Sequence, residues 1–218
     1  MPLFNKEHHN KGFVVGFWKI DEDLQALEEM MDFNNYDRNY YNRFLVDKRR
    51  KHWLASRILL KELAEEKFSP IIYNQDGKPY FSSGRGFFSL SHAGEMAAAI
   101  YSDVVPVGID IEKITHKLLR VKERFLSDDE LDMHQEGNYL DYLCLGWCGK
   151  EALYKIHGER KLDFRKHMML KLPKISQSGH FYGAIKSDKK EFGFELQYKR
   201  ISDYMAVFVA GEDIKRVV

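Results

Sequence analysis

The run Val107-Gly108-Ile109-Asp110-Ile111-Glu112 restricts the chain more than any other stretch. Its β-branched residues favour an extended strand. With a side-chain period of two, Asp110 and Glu112 then fall on one face. Two carboxylates side by side repel, so the fold must bring something positive to that face. A hard divalent cation such as Mg²⁺, held by one or two carboxylates together with substrate phosphates, is the usual solution. Further along, Trp147, Glu151 and Lys155 recur every four residues in Trp147-Cys148-Gly149-Lys150-Glu151-Ala152-Leu153-Tyr154-Lys155. That spacing lines one stripe of a helix and adds a third acid and a lysine. The set suits metal-dependent phosphoryl transfer, which asks a protein for positioning and charge more than for covalent chemistry.

Around these stretches the pattern alternates between strand and helix. Phe13 to Ile20 reads as a strand, Asp21-Glu22-Asp23-Leu24 as an acid-rich helix start, and Asp47 to about Lys67 as a longer helix. That helix has Trp53, Leu54, Ile58, Leu59 and Leu63 on its apolar face and Lys48 to Lys51 at its start. Pro70 to Tyr73 and Lys78 to Phe81 read as a hairpin about Asn74-Gln75-Asp76-Gly77, and Phe87 to Leu90, Met96 to Ser102 and Val104 to Ile111 as three more strands. From Leu118 the pattern is helical. Ser127 to Glu130 fits a capping box for a helix running toward Glu136 and ended by Gly137, and Tyr139 to about Ile156 is a helix closed by Gly158. Met168 to Leu172, His180 to Lys186, Phe192 to Tyr198 and Tyr204 to Val209 read as strands. The order strand, helices, strands occurs twice. It predicts an α+β protein of two similar halves, 1–105 and 106–218, forming one compact unit with an active site in the cleft between them.

The chain of 218 residues, 44% hydrophobic and 14% aromatic, can bury a sizeable core. A formal net charge of +1 does not favour nucleic acid. Cys144 and Cys148 offer no disulfide framework and suit a reducing cytosol. No secretory h-region follows Met1 and no run is long and apolar enough to cross a membrane, so a cytoplasmic protein is expected.

Gly108-Ile109-Asp110-Ile111-Glu112 followed by Trp147-x-x-Lys150-Glu151-Ala152-x-x-Lys155 resembles the 4′-phosphopantetheinyl transferases, in particular the larger, surfactin-type group. Asp76-Gly77-Lys78-Pro79 and Phe88-Ser89-Leu90-Ser91-His92 also stand where that group has related pieces, and the four occur in order across most of the chain. The resemblance implies the pseudo-twofold arrangement of halves. It also implies transfer of the 4′-phosphopantetheine arm of coenzyme A to a serine of an apo acyl or peptidyl carrier protein, by a protein expected to be a monomer. By the same resemblance Asp110, Glu112 and Glu151 hold Mg²⁺. Lys155 meets a phosphate or the leaving group, and Asp110, Glu151 and Lys155 form the catalytic set. His92, beside Ser91 and followed by Gly94, contacts the 3′-phosphate of coenzyme A together with Arg50 or Lys51. Gly77, Lys78 and Pro79 lie near the adenine and phosphates, and Lys150 adds to a basic wall.

Each piece also has a plainer reading. Asp110 and Glu112 read equally as water-facing residues of an edge strand, Glu151 and Lys155 as an ordinary helix pair worth about 0.3 kcal/mol, and Lys48 to Lys51 as a solvated helix end. Those cations, however, sit at the unfavourable end of the helix dipole, as an anionic ligand would require. Ser91-His92 is no hydrolase pair, since adjacent residues of a strand point apart and no nucleophile elbow is present. The two cysteines lack zinc-ligand spacing and read as small buried residues; Cys148 departs from the Ser or Thr common in the family. The alternatives in function are a non-catalytic binding module of the same fold and an unrelated Mg²⁺-dependent phosphohydrolase.

Overall fold

The computed structural model describes residues 4–134, 137–158, 162–187 and 190–211. The chain divides into two compact units, Met1–Val105 and Pro106–Val218.

In the first unit, strands β1 (Phe4–His9), β2 (Phe13–Lys19), β5 (Phe87–Ala93) and β6 (Met96–Ser102) form an antiparallel sheet in the order β1-β2-β6-β5. The hairpin β3 (Ile71–Tyr73) and β4 (Pro79–Phe81) stands apart as a second sheet. Helix α1 (Leu24–Met30) is capped by the Asp23 carboxylate, which accepts from Ala26 N, and α2 (Asn35–Tyr41) by the Asn34 side chain. Helix α3 (Asp47–Ala64) lies against β6 and β2. The sheet admits it closely because Ala97 and Ala99 are the small residues of β6 in the core it shares with α3, and Gly16 sits beneath Leu59 and Leu63. Trp18, Leu27, Leu54, Leu60, Ile71 and Phe81 complete this core, each large apolar side chain contributing about 1.5–3 kcal/mol by its removal from water.

In the second unit, β7 (Val107–Lys113), β8 (Met168–Lys171), β9 (Ser178–Ser187), β10 (Lys190–Ile201) and β11 (Tyr204–Ala210) form an antiparallel sheet in the order β7-β11-β10-β9-β8. Short 3₁₀ turns at His116–Arg120 and Lys122–Arg124 lead to α4 (Asp128–Asp132). Helix α5 (Tyr139–His157) packs on β7 and β11, and α6 (Phe164–His167) precedes β8. Gly158 ends α5 in the left-handed conformation at φ 79°.

Several expectations are corrected. Helix α3 stops at Ala64 and continues only as a 3₁₀ turn over Glu65–Lys67. The Ser127–Glu130 capping box is present, but α4 is five residues long and ends at Asp132 with Met133 as its C-cap, so Gly137 does not terminate it; Glu136 lies outside the described residues. Strand β1 and helix α2 have no counterpart in the sequence reading because Phe-Asn-Lys-Glu-His-His and Asn-Tyr-Asp-Arg-Asn-Tyr-Tyr carry no clean apolar period. Among the described residues no helix is long and apolar enough to cross a membrane.

Candidate active site

In the second unit the site begins at Gly108. A Cβ there would stand 2.3 Å from the backbone oxygen of Ala152 and 3.0 Å from the nitrogen of Ile156. A bare Cα is what allows α5 to lie directly on β7. Asp110 and Glu112 follow at alternate positions on that face. Although β7 is an edge strand, Asp110 is only 6% exposed, so it does not face water as an ordinary edge-strand residue would.

Trp147, Glu151, Tyr154 and Lys155 are the half-buried residues of the central part of α5, between fully buried neighbours. From that stripe Lys155 Nζ reaches across to Asp110 Oδ1 at 2.7 Å and donates to the Ile109 carbonyl at 2.9 Å. The positive group that the paired acids demanded is thus a lysine of the chain itself. Glu112 accepts from the Lys113 backbone N–H through Oε1. Burial raises its pKa, and Asp110 adds to the rise while Lys113 N–H, Lys155 and Lys117 oppose it. Glu151 is pushed up to about 7, mainly by burial and then by Asp110 and Glu112, with Lys155 opposing. Among the described residues no three His, Cys, Asp or Glu side chains are drawn together into a metal cage. Asp110, Glu112 and Glu151 therefore interact electrostatically without closing on a point, as mutual repulsion and the Lys155–Asp110 pair dictate. A pair of carboxylates with open positions beside it is nevertheless the donor set that Mg²⁺ uses when phosphates complete its shell.

In the first unit a second set surrounds the N-terminal part of α3. His52 Nε2 is 2.8 Å from the carbonyl of Gly94, which turns β5 into β6 at φ 58°. Its ring stacks on that of His92, centroids 4.3 Å apart. His92 is exposed while Ser91 beside it is buried, as alternation along β5 requires. Burial lowers the His52 pKa, and Lys48, one helical turn away, lowers it further against the bond to Gly94. His52 is thus a ring partner of His92 that the motif alone does not announce. Arg50 Nε donates to the Phe44 carbonyl and its guanidinium lies over Tyr41, and Lys51 Nζ donates to the Glu22 carbonyl at 2.6 Å. Each helix position turns by about 100°, so neither leaves α3 in the direction of His52. At the β3–β4 turn, Gly77 takes φ 76° and the Asn74 side chain accepts from Lys78 N just before Pro79. The Lys78 ammonium is half-buried and its pKa is lowered by that burial.

A profile of the 4′-phosphopantetheinyl transferase superfamily matches residues 106–207, most of the second unit. The 4′-phosphopantetheinyl transferase psf-1 of Bacillus pumilus is 30% identical over 167 residues, covering 68% of this chain and 69% of that protein. The chain belongs to the 4′-phosphopantetheinyl transferase superfamily. The 4′-phosphopantetheinyl transferase AcpT of Salmonella typhi is 34% identical over 116 residues, covering 50% of this chain and 60% of its own length. AcpT of Escherichia coli K12 is 34% identical over 119 residues, covering 50% and 59%.

Within this member of the superfamily one candidate is removed. Lys150, expected in a basic wall, is 0% exposed, and its three donors are taken by the Glu130 carboxylate, the Phe164 carbonyl at 3.0 Å and the Met168 carbonyl at 2.7 Å. Glu130 in turn accepts from the backbone N–H groups of Ser127 and Leu170. The pair ties α4, α6 and β8 to the helix that carries Glu151. Burial lowers the Lys150 pKa, with Glu130 opposing. Cys144 and Cys148 are buried and donate to the carbonyls of Glu112 and Met205, which accords with packing rather than zinc. His52 was missed: its i,i+4 spacing from Lys48 was readable, but its contact with His92, forty positions on, was not.

Proposed function

We propose that the protein transfers the 4′-phosphopantetheine arm of coenzyme A to a serine hydroxyl of an apo acyl or peptidyl carrier protein, with Mg²⁺, releasing adenosine 3′,5′-bisphosphate. The observation that carries this reading is the meeting of Asp110, Glu112, Glu151 and Lys155 over Gly108, in the unit that matches the superfamily. Asp110, Glu112 and Glu151 would hold the metal, whose chemistry is to neutralise the pyrophosphate oxygens. The serine oxygen attacks the phosphorus that bears the pantetheine arm, and the bond from that phosphorus to the bridging oxygen breaks. Glu151, titrating near 7, is suited to accept the serine proton at neutral pH. Lys155 offers an ammonium to the oxygen that leaves. His92, His52 and Lys48 form the set for the 3′-phosphate, and Lys78, an ammonium whose pKa burial has lowered, suits the remaining anionic groups. Two buried thiols fit a cytoplasmic protein, and the reaction needs one copy of the chain.

Incubation of the purified protein with coenzyme A, Mg²⁺ and a panel of apo carrier proteins tests the assignment. A carrier gaining the mass of one phosphopantetheine arm is the expected result. Coenzyme A cleaved without any carrier would identify a phosphohydrolase instead, and binding without turnover a non-catalytic module.

A further inference from the structure

The lysine on the acid face raises a question of occupancy. Its ammonium lies 2.7 Å from Asp110 Oδ1 and 2.9 Å from the Ile109 carbonyl, the reach of a strong charge-assisted bond. Asp110 is also one of the carboxylates that a divalent cation would take. An ammonium already bonded to one oxygen of that carboxylate draws off the charge a metal ion would use, and two cations on one carboxylate repel. Lys155 is 26% exposed at its side chain and stands near the end of α5, so its flexible four-carbon stem already has one side in solvent.

We propose that Lys155 is a placeholder cation: it neutralises Asp110 in the metal-free protein, leaves that carboxylate when a divalent ion binds, and is thereby released toward the anionic substrate. The proposal rests on the metal reading given above and adds an order of events to it. Lys155 serves the acids or the phosphates, not both together, so an enzyme without metal holds its phosphate-facing cation in reserve.

Amine footprinting of the intact protein tests this without any substrate. Wild-type protein is reductively methylated with and without saturating Mn²⁺, and the peptides bearing Lys155 and the exposed Lys48 are followed by mass spectrometry. Modification of Lys155 is expected to rise severalfold with Mn²⁺ while Lys48 is unchanged. Mn²⁺ affinity is measured in parallel by electron paramagnetic resonance for wild type and Lys155→Met, which is expected to bind the ion roughly tenfold more tightly once the competing charged hydrogen bond is gone. Mn²⁺ bound to wild type with Lys155 still protected would overturn the proposal and leave the metal reading intact. No Mn²⁺ bound by either protein would overturn the metal reading and the proposal with it. Should Lys155→Met fail to fold, the wild-type footprint decides alone.

Discussion

Gly108→Ala is the perturbation that best separates a built site from a chance gathering of acids. The added methyl would stand 2.3 Å from the Ala152 carbonyl oxygen, where ordinary contact begins at 3.4 Å. Neither partner is a side chain that can rotate away, since one is strand backbone and the other helix backbone. Helix α5 must therefore retreat from β7 by about 1 Å, or the strand must bend by as much. Overpacking of this kind costs about 1–3 kcal/mol, and for a chain of this size each kcal/mol lowers the melting midpoint by about 2–4 °C. The consequence for the site is separate. A retreat of that size stretches the Lys155–Asp110 contact from 2.7 Å, forcing the lysine stem to extend if it is to keep the bond, and moves Glu151 away from β7. Misplacement by about 1 Å commonly costs 10²-fold in turnover. Denaturant titration gives the first quantity, and carrier modification at saturating coenzyme A, below the melting range, gives the second. A variant within 0.5 kcal/mol of wild type that retains full turnover would refute the claim that strand–helix proximity builds the site.

Other outcomes follow from the same geometry. Lys150→Met leaves the Glu130 carboxylate buried without its counterion and is expected to cost about 3–5 kcal/mol in chemical denaturation, with the Lys150→Met, Glu130→Gln double variant recovering part of it. Because the Glu151 carboxyl titrates near 7 when folded and near 4.5 when unfolded, the folded state holds its proton over that interval. The contribution of this group to metal-free stability therefore falls as pH rises from 4.5 through 7, and Mg²⁺ binding at pH 6 should release more protons than at pH 8, as calorimetry in buffers of different ionisation heat would report. His92→Ala should weaken coenzyme A binding tenfold or more while barely touching 3′-dephospho-coenzyme A, since a charged phosphate contact is worth about 1.5–3 kcal/mol. Equal losses for the two ligands would remove His92 from the phosphate.

What the sequence discloses here is what neighbours along the chain decide. The shared face of Asp110 and Glu112 and the stripe of Trp147, Glu151 and Lys155 follow from periods of two and 3.6 residues, and the Ser127–Glu130 box and the Gly158 cap from local end-group chemistry. The burial of Lys150 does not, because adjacent residues of α5 differ by about 100° in direction. Only the packing of α4, α6 and β8 tells that one position points inward while Glu151 points out. The basic run Lys48 to Lys51 is opaque for the same reason: it announces charge but not which members the turn of the helix aims at the β5–β6 corner. The role of Gly108 was visible as a motif residue, yet its reason, a carbonyl forty-four positions further on, belongs to tertiary structure.

The pairing of β7 has a bearing on when the protein becomes able to act during its synthesis. In the sheet order its neighbour is β11, with Asp110 opposite Val207 and Glu112 opposite Met205. Roughly a hundred residues must be made between an acid and the strand that fixes it. A growing chain thus displays the acid-bearing strand long before anything holds it in register, and contacts of such sequence separation form slowly. A chain interrupted before Tyr204 would carry every residue of the acid and lysine set and still lack the scaffold that aligns them. Competence of the acid set then waits on β11, however early β7 itself is made.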